Sequence, residues 1–150
     1  MGASSKKVIV TGGGYRPQHS SRLAAAGLTP IWPSNNDEFG FHLRTASGYI
    51  LGGEERLTAD VIAQMPMLEV ISFVGVGVGQ FVDSKAAQAR GIAVMNTPGL
   101  MTAAVVEHTL GLLVGIQRGL FQHNDSVKRD GPKPIETRLL ADSTIGIVGL

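Results

Sequence analysis

Three stretches of glycine could do chemistry in this chain. They are Gly12-Gly13-Gly14, the alternating run Gly75-Val76-Gly77-Val78-Gly79, and Gly149 beside the last residue. Glycine brings no reactive group; its use is to bare backbone N–H groups, whose converging dipoles hold a carboxylate or a phosphate. The second run follows the apolar segment "LEVISFV" at what reads as the carboxyl end of a strand. Ligands of open α/β sheets bind beyond that end. A plain tight turn is the alternative, because the third glycine of the dinucleotide fingerprint is missing and Gln80 and Val82 stand in its slots. The first run fails that spacing at Pro17, and the shorter-spaced variant at Arg16, so it reads as a turn. Gly149 ends "STIGIVGL", an apolar strand reaching a first glycine, where a pyrophosphate would rest on the N-terminus of the helix that follows.

Side-chain chemistry is sparse. The four histidines, at 19, 42, 108 and 123, show no pair at metal-ligand spacing, so no metal is expected. Glu107 and His108 are helix neighbours that do not face each other, and polar anchoring near a helix start suits them better than acid–base work. No Ser-His-Asp arrangement is legible. The absence of cysteine excludes disulfides, thiolate zinc sites and cysteine nucleophiles. A net charge of +1 with scattered basic residues gives no reason to expect a nucleic acid or an anionic membrane as partner. The N-terminus carries no secretory pattern, and the most apolar segment, 103–116, is interrupted by Glu107 and His108 and too short to span a bilayer. A soluble, cytoplasmic protein is expected.

These groups must be held by elements, and the sequence alternates short apolar runs with amphipathic ones. Strands are expected at 6–12, 28–33, 48–53, 68–75 and 92–98, the second at a sheet edge because of its two prolines. Helices are expected at 18–27, 57–66 and 83–91, the first and last ending on Gly27 and Gly91. Glycine at 20 of 150 residues, against a usual ~7%, fits many strand-to-helix turns. The rhythm predicts an α/β fold, a flavodoxin-like doubly wound parallel sheet. After Pro98 it changes to one long helix from Thr102 to about Val127, with Gly111, Gly115 and Gly119 on one face. That face packs either on the chain's own sheet or on another subunit. The reading is a domain over 1–100, then a long helix and the first strand of an incomplete Rossmann domain over 101–150.

From 68 to 118 the chain resembles the NAD-dependent D-isomer-specific 2-hydroxyacid dehydrogenases, a family that includes phosphoglycerate, glycerate and glyoxylate/hydroxypyruvate enzymes. The resemblance lies in Asp83 with Ala86-Ala87, "RGI" (90–92), "NTPG" (96–99), "AVVEHTLGLL" (104–113), Arg118, and "STIGIVGL" as the opening of the cofactor domain. It implies a substrate domain followed by an NAD domain, NAD or NADP as cofactor, and a small 2-hydroxy or 2-keto acid as substrate. It also implies a homodimer formed through the long helix in the parent enzyme.

Residue by residue, it implies that Gly53, Gly75, Val76 and Gly77 bind substrate. Val76, Val105 and Gly149 would approach the cofactor. Because the glycine loop is one residue longer than usual, the triplet is either 75–77 or 77–79. The arginine, glutamate and histidine of the family's proton-transfer machinery would lie beyond Leu150. The expectation is therefore an N-terminal piece, inactive alone, from a truncated reading frame or a deliberately shortened chain. The rival is a non-catalytic flavodoxin-like module that binds an anion or a partner. A receiver domain is one version of this rival and is discounted, since "VTGGGY" and "LGGEE" lack the aspartates it needs.

Overall fold

The computed structural model describes residues 5–13, 17–52 and 55–148, and the chain divides into two compact units, 1–99 and 100–150. In the first, β1 (Lys6–Val10), β2 (Leu28–Ile31), β3 (Gly48–Leu51), β4 (Val70–Phe73) and β5 (Ala93–Met95) form one sheet in the order β2-β1-β3-β4-β5. Every ladder is parallel. This is the flavodoxin-like order expected from the alternation, and the proline-bearing strand is indeed at an edge.

The helices between strands are α1 (Pro17–Ala25), α2 (Asn36–Leu43), α3 (Ala59–Ala63) and α4 (Ser84–Ala89). The chain leaves β1 for β2, then returns past β1 to β3. Right-handed crossovers therefore put α1 on one face of the sheet and the other three on the opposite face. Period-2 alternation sends Ile9, Tyr49, Leu51, Ile71 and Phe73 into the second layer, against Leu43, Ile62, Met65 and Ala87. Each large apolar side chain withdrawn there from water contributes about 1.5–3 kcal/mol. On the α1 side Val8 and Val10 are buried, while Ile50, Val70 and Ser72 are only half-buried.

Short polar caps start the helices. Thr58 and Asp83 cap α3 and α4 by accepting from the N–H of Val61 and Ala86. Helix α2 is not among the elements expected from the sequence, because Gly40 and the two phenylalanines flanking it give it no clean apolar stripe. Its signal is in the cap. Asn35 accepts from the Glu38 N–H at 2.8 Å, and the Glu38 carboxylate accepts from the Ser34 hydroxyl at 2.6 Å and the Ser34 N–H at 2.8 Å. Those Ser34 bonds hold the Glu38 carboxyl below the ordinary glutamate range.

Strands β1 and β3 leave the sheet almost touching. A Cβ on Gly12 would lie 2.7 Å from the Gly52 Cα, and one on Gly52 would collide with the Thr11 carbonyl oxygen and the Gly12 backbone. Gly12 also has φ +95°, which side chains disfavour. Around this contact the Thr11 hydroxyl donates to Glu55, and the buried Tyr49 hydroxyl donates to the same carboxylate oxygen at 2.9 Å. The Gly52 N–H donates to the Thr11 hydroxyl oxygen at 3.2 Å. Burial, and then the Glu55 charge, push the Tyr49 phenol far above its usual value.

The second unit holds α5 (Thr102–Gln117), α6 (Leu120–Asp130) and a single 3-10 turn at Leu140–Asp142. The single long helix expected from 102 to about 127 is in fact two. Gly119 takes a left-handed φ of +59°, which ends α5 and starts α6. The glycine face is divided accordingly. Gly115 accepts the ring of Phe121 folded back from α6, at 2.9 Å from where a Cβ would sit, while Gly111 has open space. The strand expected at the end of the chain is also absent, since 143–148 are irregular. A strand needs a ladder partner, and no strand occurs among the described residues of 100–150.

Two outcomes follow. Gly52→Ala should lower unfolding free energy by about 2–3 kcal/mol or more in urea titrations, because backbone has to move. Gly77→Ala, with nothing within 4 Å of its Cβ position, should cost less than about 1 kcal/mol. Equal effects would contradict the close approach. For Tyr49 the native state retains a proton that the unfolded chain releases near pH 10. The stabilisation is complete below about pH 10 and falls by ~1.4 kcal/mol per pH unit above it. In a Tyr15→Phe variant, which leaves Tyr49 as the one tyrosine of the sequence, phenolate absorbance should appear only together with loss of circular dichroism. Reversible ionisation near pH 10 in folded protein would contradict this.

Candidate functional site: the carboxyl edge of the sheet

The loop from Val74 to Gln80 leaves β4 with its carbonyls already engaged. Gly75 O accepts from the Thr97 N–H at 2.9 Å and from its hydroxyl at 3.3 Å. Val76 O accepts from the Asn96 amide at 2.9 Å and from the Val78 N–H at 3.0 Å. The N–H groups of Gly75, Val76 and Gly77 find no acceptor among the described residues. Three adjacent amides are thus unengaged, while the carbonyls of Gly75 and Val76 are tied to the exit of β5. Gly77, at φ −81° and ψ 67°, forms the inverse γ-turn that occupies the Val78 N–H. The free donors run over 75–77, and the alternative triplet 77–79 has its middle amide spent.

The loop is braced from below and from the side. Phe73 stacks on Phe81 with ring centroids 4.9 Å apart, and Gly75 lies over the Phe73 ring, 2.6 Å from where its Cβ would be. Leu57 and Val82 form a parallel bridge, with Leu57 N–H to Phe81 O at 2.7 Å and Asp83 N–H to Leu57 O at 2.9 Å. The Arg56 side chain donates to Gln80 O at 2.7 Å. The loops after β3 and β4 therefore move as one piece. Such a preorganised set of dipoles can take a carboxylate without rearranging first.

Of the residues singled out from the sequence, Gly75, Val76 and Gly77 come together here, with Val76 57% exposed. Val105 is in the second unit, on the first turn of α5, and is exposed. Gly53 and Gly149 lie outside the described residues. Sequence reasoning missed Asn96 and Thr97 as the loop's anchors, although "NTPG" stood out as a pattern. It also missed Thr11, Tyr49 and Glu55, whose partnership joins three separate segments. Glu107 and His108 are both exposed on α5. No group that could hold a metal exists among the described residues, and none of their helices is long and apolar enough to cross a membrane.

A dinucleotide is a different matter. Among the described residues of 100–150 there is no strand-to-helix turn able to present a row of N–H groups to a pyrophosphate. The described residues do not themselves form a dinucleotide site, and the loop at 74–80 contains no acid or base. What the edge can do is hold and orient an anion.

Comparison with known proteins gives the family of the chain. The family profile described as the D-isomer specific 2-hydroxyacid dehydrogenase catalytic domain matches residues 17–144. A glyoxylate reductase of Thermofilum pendens is 33% identical over 79% of this chain and 37% of its own length. A human D-3-phosphoglycerate dehydrogenase is 32% identical over 99% of this chain and 28% of its own length. Among solved structures, an NADPH-dependent glyoxylate/hydroxypyruvate reductase of Sinorhizobium meliloti, in complex with NADP and malonate, superposes with a TM-score of 0.67. It is 27% identical, over 91% of this chain and 44% of that one. The chain spans less than half the length of each of these relatives. With its parallel sheet, its order of strands and its glycine loop after β4, the chain belongs to the D-isomer-specific 2-hydroxyacid dehydrogenase family.

Proposed function

We propose that this chain is the substrate-binding part of an NAD(P)-dependent oxidoreductase that interconverts a small 2-hydroxy acid and its 2-keto acid. The observation that carries the reading is the run of three unengaged N–H groups at Gly75, Val76 and Gly77. Hydrogen bonds from such amides to a carboxylate are charge-assisted and roughly twice as strong as neutral ones. They would fix the substrate's acid end. The reacting carbon would then stand near Val76, beside the nicotinamide. Gly53 belongs to the neighbouring loop in this reading.

Residues 1–99 are then the substrate domain, and 100–150 the opening of the cofactor domain, with Val105 and Gly149 as its contributions. The bound NADP and malonate of the Sinorhizobium reductase support NAD or NADP and a small carboxylate as the ligand classes. The arginine, glutamate and histidine that the family uses for carboxylate clamping and proton transfer would be supplied by sequence after Leu150, so the 150-residue chain is inactive alone. The exposed Val105, Val106, Leu110 and Ile116 of α5 support a homodimer through that helix in the whole enzyme. A cytoplasmic location goes with this reading.

A non-catalytic anion-binding module is the second reading, favoured by the absence of an acid or base in the loop. An NAD(P)H oxidation assay separates them. The chain alone should give no turnover of glyoxylate or hydroxypyruvate above background. The same chain joined at Leu150 to the remaining part of a close relative should turn one of them over. Activity of the chain alone would overturn its role as a part; inertness of the joined, folded, cofactor-binding protein toward all small 2-keto acids would overturn the dehydrogenase reading.

A further inference from the structure

At the carboxyl ends of β1 and β2, on the same edge of the sheet as the amide loop, is a cleft of about 410 Å³. Through Glu55 it borders the gap between β1 and β3, where the strand order reverses and doubly wound sheets take ligands. Its walls include Trp32, Phe39, Ser34, Asn35 and Asn36, and among the described residues the one ionisable side chain lining it is that of Glu55. This carboxylate is half-buried, and among the described residues no lysine, arginine or histidine lies within ion-pair distance of it. Both hydroxyl donors, Thr11 and Tyr49, converge on one oxygen, Oε1, and Oε2 has no donor among the described residues.

A half-desolvated charge with one oxygen fixed and the other unengaged accepts a cation or a strong donor. Trp32 and Phe39 line the same cleft and give it an aromatic wall on which the apolar stem of a guest can lie. From this cleft to the loop after β4 is two to three strand spacings, about 10–14 Å.

We propose that the cleft receives the cationic end of the substrate, so that the enzyme's preferred substrate, above glyoxylate and hydroxypyruvate, is a 2-keto or 2-hydroxy acid with a terminal ammonium or guanidinium group. The substrate assignment rests on the carboxylate site proposed above; the cation cleft does not. Glu55 meets the cation through Oε2 while Thr11 and Tyr49 keep its other oxygen in place. The amides of 75–77 take the acid end.

Binding to the 150-residue chain tests both halves separately. Three probes are titrated while backbone amide resonances are followed: 2-keto-5-guanidinopentanoate, the uncharged 2-ketoheptanoate of similar length, and butylguanidinium. The guanidino acid should bind at least about tenfold more tightly than 2-ketoheptanoate, a ratio corresponding to ~1.4 kcal/mol. Glu55→Gln, whose amide oxygen can still accept from Thr11 and Tyr49, should remove that preference, so that within the variant the two acids bind equally. Butylguanidinium should perturb Asn35 and Asn36 without moving 75–77. Equal affinity of the two acids for the wild-type chain overturns the proposal without need of a variant, and leaves Glu55 as a structural pin alone. If butylguanidinium binds the cleft but neither acid moves 75–77, the cation site stands and the carboxylate reading fails.

Discussion

The edge that matters in this protein depends on how closely two strands leave their sheet. At Gly12 and Gly52 the chain emerging from β1 and the chain emerging from β3 meet backbone to backbone, with no room for a Cβ on either. That approach lets the Thr11 hydroxyl serve two segments at once, accepting from the Gly52 N–H and donating to Glu55. Tyr49, buried in the main core, completes the clamp from below. The loop after β3 is thus anchored to the hydrophobic layer. Through the Leu57–Val82 bridge and the Arg56 contact to Gln80, it anchors the loop after β4 in turn. The free amides at 75–77 are rigid because a chain of contacts ends in the core.

Much of this was legible in the sequence, and the reasons differ by element. The five strands were visible because buried parallel strands are short, apolar and punctuated by glycine or proline. The glycine loop was visible because glycines that bare a backbone leave a composition signature. Helix α2 was not, since its evidence is a reciprocal cap around Ser34, Asn35 and Glu38 rather than a periodic stripe. The break at Gly119 was hidden for the opposite reason: the periodicity continues across it, and only the left-handed backbone separates α5 from α6. The final strand could not be confirmed by its own composition, because pairing depends on a partner elsewhere.

Several residues that carry the family resemblance turn out to work on shape. Asp83 caps α4, and Ala87 beside it is fully buried. The Arg90 guanidinium reaches the carbonyls of Ile62 and Met65, tying the end of α3 to the turn after α4. Asn96 and Thr97 hold the carbonyls of Val76 and Gly75 so that the intervening amides face elsewhere. Spacing alone could not separate such positioning from ligand contact; that takes knowing which oxygen each donor reaches. The Glu55 clamp was harder still, since Thr11, Tyr49 and Glu55 are joined only by the crossover of β1 and β3.

The loop after β4 therefore combines braced, unengaged amides with no acid or base of its own. Binding energy and catalysis are separable in this way, because orientation and charge complementarity need only fixed dipoles, whereas turnover needs a group that gives and takes a proton. The most direct measurement is a titration of the isotopically labelled chain with glyoxylate, alongside glycolaldehyde, which lacks the carboxylate. Saturable downfield shifts of the Gly75, Val76 and Gly77 amides with glyoxylate, and none with glycolaldehyde, are what three waiting donors predict. Unmoved resonances at these positions at saturating glyoxylate, in a folded chain, would contradict the account at its root.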